Sequence, residues 1–285
     1  MSHLGLRARK GIADTLCYVV LILLSILWVF PIVWVVLTSF RAEGGSFVTN
    51  FIPKTFTLQN YVNLFADTSV FSFGQWFANT AFVAVCSCLL TTFITVSTAF
   101  VMSRMRFRLR KPMMKLALIL GMFPAFMSMI AVYFVLKSVG LTQSLLALIL
   151  VYSAGGGLSF YITKGFFDTI PRAVDEAARI DGATNSQIFF RIILPLSKPI
   201  IVYTVLTTFM APWMDFIFAK VIMGDNYSKY TVAIGLYTML NREFIDQYFT
   251  RFAAGAVCIA VPITILFIAL QKYYVEGVTG GAVKG

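Results

Sequence analysis

The 285-residue sequence has little charge and a single histidine, His3. Asp, Glu, Lys and Arg together make up 12% of the chain, whereas soluble domains average about 25%. A soluble globular protein is therefore excluded. Metal sites and most acid–base centres are built from clusters of His, Cys, Asp and Glu. We therefore expect no metal, no cofactor and no catalytic residue in this chain.

Cysteine is also scarce and gives no sign of redox or metal chemistry. The four cysteines, Cys17, Cys86, Cys88 and Cys258, all fall in apolar runs. In such surroundings cysteine packs as a small hydrophobic side chain. Cys86 and Cys88 are two positions apart, so on a helix they would point to nearly opposite sides.

What the sequence has instead is apolar runs long enough to cross a membrane. Hydrophobic residues make up 59% of the chain, and a helix needs about 20 of them to cross a bilayer core of about 30 Å. The runs lack the alternating pattern of a membrane barrel. We predict one all-α polytopic membrane domain over residues 1–285 with six transmembrane helices: Leu16–Leu37, Asn79–Met102, Leu116–Leu136, Ser144–Ile162, Ile200–Met223 and Phe252–Tyr273.

The positions of the basic residues predict the orientation of these spans. The formal net charge is +11, but the Lys and Arg residues lie in short segments between spans rather than in a patch interleaved with aromatics, which argues against nucleic-acid binding. One side of the predicted membrane receives 16 of the 23 Lys and Arg residues and the other receives 7. By the positive-inside rule both termini face the cytoplasm, the N-in and C-in arrangement.

The first long segment on the outer side contains FIPKTFTLQNYVNLF, which predicts a turn at proline followed by an amphipathic helix. Leu58, Tyr61, Val62 and Phe65 would share one apolar face of this helix. We expect it either to lie on the membrane surface or to pack against a partner.

A polar stretch, DEAARIDGATNSQIFFRIILPLSKP, separates two of the apolar runs on the cytoplasmic side. Pro171 fits the first turn of a helix, and Asp175 and Glu176 favour its positive end. Ala173, Val174, Ala177 and Ile180 then fall along one face of that helix, and Gly182 fits a left-handed stop after it.

A second helix is predicted to follow the glycine. Thr184 and Gln187 have the spacing of a capping box, and Pro195 is expected to end the helix. Phe189, Phe190 and Ile193 would anchor it to the spans. The pattern therefore predicts a helix–glycine turn–helix hairpin across the cytoplasmic mouth of the bundle. An amphipathic surface hairpin with no partner explains the same residues equally well.

The spacing within this stretch resembles a known motif. Glu176-Ala177-Ala178, Gly182 and Ile192-x-Leu194-Pro195 match the EAA motif of bacterial ABC importer permeases. IDGA and LPLSKP resemble the carbohydrate-uptake branch, and the ending YYVEGVTGGAVKG is similar to that of MalG-type maltose/maltodextrin permeases. Trp213-x-Asp215-Phe216 also resembles this branch, although its pattern more commonly begins Trp-Asn.

The resemblance implies the type I ABC importer permease fold in the bacterial cytoplasmic membrane, with no enzymatic activity in this chain. The implied partners are a second, MalF-type permease, two ATP-binding cassette subunits that bind ATP and Mg, an extracytoplasmic sugar-binding protein and membrane lipid. The loop at about 168–198 would contact the ATPases. Its implied coupling residues are Glu176, Ala177, Ala178, Asp181, Gly182, Leu194 and Pro195.

The resemblance implies a second ATPase contact in the C-terminal tail at about 275–285. It assigns this contact to Gly280, Gly281 and Lys284, whereas the residues alone predict a flexible glycine-rich terminus.

Substrate contacts are expected among polar and aromatic residues of the spans. The candidates are Asn79, Tyr152, Trp213 and Asp215. Asp215 is among them because ionisable residues within a membrane are usually functional. The resemblance favours maltose or maltodextrin as the substrate; another oligosaccharide or a glycerol-phosphate-type solute stays open. A proton-coupled secondary transporter is disfavoured because the spans contain almost no Asp, Glu or His and no repeat is evident.

Overall fold

The computed structural model describes residues 6–46, 50–155 and 159–282, with the backbone alone for 6–9, 125 and 274–282. The described residues are mostly helical. The helices are α1 Leu6–Ser39, α2 Gln59–Ala66, α3 Phe73–Arg104, α4 Arg110–Gly121, α5 Ala125–Ser138, α6 Leu145–Ala154, α7 Ser159–Asp168, α8 Arg172–Ile180, α9 Asn185–Gln187, α10 Leu194–Leu196, α11 Lys198–Met214, α12 Ile217–Met223, α13 Val232–Met239 and α14 Ile245–Ala282. A π-helical segment, Ile188–Ile193, joins α9 to α10, and a 3₁₀ turn covers Tyr227–Lys229.

The predicted all-α membrane fold is confirmed. Among the described residues, α1, α3 and α14 each contain a segment long and apolar enough to cross a membrane, and three pairs of helices with a bend between them meet the same test if each pair is taken as one span. Most side chains of α1 from Ile12 onward are exposed, as expected of a helix that faces lipid or another subunit.

Three of the predicted spans, the third, the fourth and the fifth, are broken rather than straight; the break in the fifth is described with the candidate site. The third changes direction by 103° between α4 and α5, where Pro124 precedes α5 and cannot donate a backbone hydrogen bond. The fourth stops at Ala154, with Gly155 as the C-cap of α6. Gly155 begins a run of three glycines in the sequence, and it ends a helix here. Gly156 and Gly157 lie outside the described residues.

The described chain groups into two compact units, 1–68 with 238–258 and 69–237 with 259–285. The expectation of one domain over 1–285 therefore stays a prediction. In the first unit the predicted amphipathic helix is confirmed as α2. It is tied to the end of α1 by the Ser39 and Tyr61 hydroxyls, 2.7 Å apart, and by the Asn60 side-chain amide, which donates to the carbonyls of Ser39 and Arg41. Leu58, Val62 and Phe65 are exposed.

In the second unit α3 packs against α6, α7 and α11. The core at the cytoplasmic end of α3 combines Phe100 and Met102 with Phe160 and Phe167 of α7 and with residues that follow α8. This core supports the cytoplasmic hairpin described next.

Candidate functional site

The polar cytoplasmic stretch folds as the predicted helical hairpin, here defined as residues 172–196. Its first helix is α8, and Gly182 has φ +82°, the left-handed conformation expected of a glycine stop. Thr184 and Gln187 form the predicted capping box. The Gln187 backbone N–H donates to Thr184 Oγ1 at 3.3 Å, and the Thr184 N–H donates to Gln187 Oε1 at 2.7 Å.

The hairpin has an inner face and an outer face. On α8, Asp175 and Ala178 are turned inward and are 7% and 9% exposed. Glu176, Ala177 and Ile180 are exposed, Ile180 to 86%. The sequence placed Ala177 and Ala178 together against a partner, and here the structure corrects it. Ala178 packs into the chain's own core, because residues 175 and 178 are three apart and share a helix face that excludes 177.

A buried ion pair holds the inner face of α8 to the end of α3. Arg104 Nε lies 3.3 Å from Asp175 Oδ2, with side chains 3% and 10% exposed. The same guanidinium donates to the carbonyls of Phe167 and Ile170 at 2.8 and 3.0 Å. Sequence reasoning missed this contact, because it counted Arg104 only as a topology charge and Asp175 only as a favourable charge near a helix start.

The second helix runs from Asn185 to Leu196 and is anchored through Ile188, Phe189 and Ile193, which are buried. Phe190, predicted as part of this anchor, is instead 55% exposed. Pro195 is not the end of the helix, which reaches Leu196. The proline lies at the start of α10, directly after the π-helical segment.

The other predicted coupling residues lie toward the outer face of the hairpin. Asp181, Gly182 and Pro195 are exposed, and Leu194 is half-buried. Asp181 and Gly182 also line a depression of about 250 Å³. Beyond Leu196 the chain turns by 83° into α11.

A second candidate site is a cavity of about 540 Å³ in the unit that contains 69–237. Tyr152 and Asp215, both predicted on the substrate path, line it and bond to each other, the tyrosine hydroxyl donating to Asp215 Oδ2 at 2.8 Å. The described residues around the cavity are Thr91, Phe126, Met129, Val151, Tyr152, Gly155, Ser159, Thr207, Thr208, Ala211, Asp215, Ile217 and Phe218.

The cavity lies at a break in the predicted fifth span. That span, Ile200–Met223, was predicted as one helix, but α11 ends at Met214 and α12 begins at Ile217. Asp215 has extended backbone, with ψ 109°, and its Oδ1 accepts a hydrogen bond from the Phe218 N–H at 3.0 Å. The carboxylate thereby satisfies an N–H at the start of α12 that has no partner within the helix.

Asn79 and Trp213, the other predicted path residues, do not line the cavity. The Asn79 side-chain amide donates to the carbonyls of Ser228 and Tyr230, both at 3.0 Å. Trp213 is buried, and its ring packs edge-on against Phe77 with centroids 5.1 Å apart. Both side chains therefore hold together parts of the chain that are far apart in the sequence.

The predicted tail contact falls at the end of α14. The helix continues through Gly280 and Gly281 to Ala282, where the residues alone predicted a flexible terminus. Lys284 lies outside the described residues.

The helical membrane fold and the two-helix hairpin agree with the permease fold that the resemblance implies. Residues 92–279 match the family described as the binding-protein-dependent transport system inner membrane component. The chain belongs to this family, and it is a multi-pass permease of the bacterial cytoplasmic membrane.

Relatives match over nearly the full length. The galactooligosaccharides transport system permease protein GanQ of Bacillus subtilis (strain 168) is 35% identical over 98% of this chain and 99% of its own. The maltodextrin transport system permease protein MdxG of the same organism is 34% identical over 94% and 95%. A crystal structure of a bacterial ABC transporter involved in alginate import contains a similar fold, with TM-score 0.78, 21% identity and coverage of 96% of this chain and 100% of that one.

Proposed function

We propose that this chain is the permease subunit of an ATP-driven importer of oligosaccharides. It forms the pore with a second, MalF-type permease, and an extracytoplasmic binding protein delivers the sugar. ATP and Mg bind to two separate ATPase subunits beneath the pore. Membership of a binding-protein-dependent transport family supports this assignment, as do relatives named for galactooligosaccharide and maltodextrin transport.

Maltose or maltodextrin is one candidate substrate. A galactooligosaccharide is favoured equally, because permeases named for each class have nearly the same identity to this chain. A glycerol-phosphate-type solute is the remaining alternative, and it differs from both in carrying negative charge.

The two-faced hairpin is the observation that supports ATPase coupling. Its inner face is fixed by the Arg104–Asp175 ion pair and by the buried side chains of Ile188, Phe189 and Ile193. Its outer face leaves Ile180 and neighbouring residues exposed. An element held rigidly on one side and free on the other can pass a rigid-body movement from a partner to the spans.

Four of the predicted coupling residues have a place in this mechanism. Glu176 orients the joint through its exposed charge, and Ala177 allows a partner surface to approach closely. Gly182 sets the angle between the two helices, and the depression beside it receives a side chain of the ATPase. Ala178 acts from within, by seating α8 on the core. The end of α14 provides the second ATPase contact.

Two substitutions on the outer face of the hairpin test this role. In the complete importer reconstituted with its binding protein, Glu176→Lys and Gly182→Asp should abolish sugar-stimulated ATP hydrolysis and import while the chain still inserts. Asp225→Lys is the control, because Asp225 lies outside the hairpin, in a segment predicted to be on the outer side of the membrane, and its side chain is 91% exposed. Normal stimulation in both hairpin variants would contradict the proposal.

A further inference from the structure

The cavity beside Asp215 is lined by irregular backbone within the membrane domain. Non-helical backbone at membrane depth is tolerated where it is buried in protein or lines a cavity. Two helix ends meet here, that of α6 after Tyr152 and that of α11 before Asp215, and the 2.8 Å hydrogen bond between these two residues joins them. In secondary transporters, discontinuous helices of this kind typically form the substrate site. The volume also falls in the range of about 300–1,000 Å³ usual for small-molecule sites.

The polar groups around the cavity mainly offer hydrogen-bond acceptors. The hydroxyl of Thr91 donates to the carbonyl of Ser87 at 2.6 Å, and those of Thr207 and Thr208 donate within α11 at 2.9 and 2.7 Å. The Tyr152 hydroxyl donates to Asp215. Of the five hydroxyl groups among the described lining residues, four are thus already committed as donors, and the fifth is that of Ser159.

Asp215 retains capacity to accept more hydrogen bonds. A carboxylate has about four acceptor positions, and the structure fills two of them, from Tyr152 and from the Phe218 N–H. A ligand that fits these groups supplies O–H or N–H donors.

The described residues that line the cavity carry a negative charge and no positive charge. Asp215 is the only ionisable carboxylate among the described lining residues, and none of those residues is Lys, Arg or His. A negatively charged solute would meet an uncompensated carboxylate in surroundings where charges interact strongly. Phe126, Tyr152 and Phe218 add aromatic surface, which suits the apolar face of a sugar ring.

We propose that this cavity is a subsite for an uncharged saccharide, in which Asp215 accepts hydrogen bonds from sugar hydroxyls and disfavours anionic solutes. The inference rests on the proposed importer function and refines it: neutral oligosaccharides are the substrate class, and sugar phosphates, uronic acids and glycerol phosphates are not.

The test compares a neutral and an anionic sugar in the reconstituted importer with its own binding protein. The probes are maltotriose, galactotriose and the derivative of each with one primary alcohol oxidised to a carboxylate. Asp215→Asn removes the charge but preserves the helix cap, since Asn caps as well as Asp, and its amide N–H can donate to the Tyr152 oxygen. Selectivity is measured as the ratio of carboxylated to neutral sugar imported, so that the contribution of the binding protein cancels between variants.

We expect the ratio to rise about tenfold in Asp215→Asn. A tenfold change corresponds to about 1.4 kcal/mol, and the repulsion of two like charges a few ångströms apart inside a protein is at least that large. Asp225→Asn, which removes an exposed carboxylate outside the cavity, should leave it unchanged. Tyr152→Phe retains the carboxylate and should also retain the discrimination.

An unchanged ratio in Asp215→Asn, or an equal rise in Tyr152→Phe, would overturn the subsite proposal while leaving the importer function intact. Efficient import of the carboxylated sugars by the unmodified protein would also overturn it. If the unmodified complex imports none of the probes and shows no sugar-stimulated ATP hydrolysis, the importer function itself fails.

Discussion

The side chains of Arg104 and Asp175, 71 positions apart in the sequence, form a buried ion pair with Nε 3.3 Å from Oδ2. Arg104 is the last residue of α3, and Asp175 is in the first turn of α8. Through this pair a membrane span and the cytoplasmic hairpin are directly connected.

Neutralising one member of the pair should destabilise the protein and disconnect the hairpin. In Asp175→Asn the buried guanidinium loses its counter-charge, and breaking a buried pair in this way costs about 3–5 kcal/mol. We expect a lower unfolding temperature in detergent and weaker sugar-stimulated ATP hydrolysis in the complete importer. Asp181→Asn, an exposed change in the same hairpin, should leave the unfolding temperature unchanged. Equal unfolding temperatures for Asp175→Asn and the unmodified chain would show that the pair contributes no stability.

The capping box at the start of the second hairpin helix gives a smaller, graded prediction. Thr184→Ala removes the oxygen that accepts from the Gln187 N–H and should cost about 1 kcal/mol. Thr184→Ser keeps that oxygen and serves as the matched control. Amide hydrogen exchange over 184–188 should be faster in the alanine variant and close to that of the unmodified chain in the serine variant. Equal exchange in the two variants would contradict the importance of the cap.

A glycine of α13 permits a close approach between two helices. A Cβ atom at Gly235 would overlap the ring of Trp76 on α3, whereas a Cβ at Gly165 of α7 would meet nothing within 4 Å.

Gly235→Ala should therefore displace the tryptophan and lower stability by about 1–3 kcal/mol, the usual cost of overpacking. Gly165→Ala should be neutral or slightly stabilising, because alanine favours helix. Thermal unfolding of the two purified variants in the same detergent provides the comparison. If Gly235→Ala unfolds no earlier than Gly165→Ala, the tight contact at Trp76 is not a constraint on the fold.

The elements that the sequence predicted well are those determined by neighbouring residues. The glycine stop at Gly182 and the capping box of Thr184 and Gln187 depend on residues a few positions apart, and both are confirmed. The Arg104–Asp175 pair depends on tertiary packing, and nothing in the local pattern of either residue points to the other. The inward turn of Ala178 was missed for the same reason, because the EAA spacing does not show which helix face meets the core.

The break in the fifth span could have been foreseen in part. Pro212 weakens the end of α11, and Asp215 lies three residues before Phe218, the spacing at which a carboxylate caps a new helix. A single helix was predicted nevertheless, because the residues on both sides of the break are apolar. The roles of Asn79 and Trp213 depend on backbone and ring contacts from distant parts of the chain, which polarity within a span does not predict.

The exposure of Ile180 at the tip of the hairpin has a consequence for biogenesis. An apolar side chain that is 86% exposed adds a site for non-specific association for as long as the subunit is unassembled. We expect orphan copies of this chain to be recognised by chaperones and membrane proteases. The lifetime of each copy would then depend on whether its partner subunits are synthesised in matching amounts.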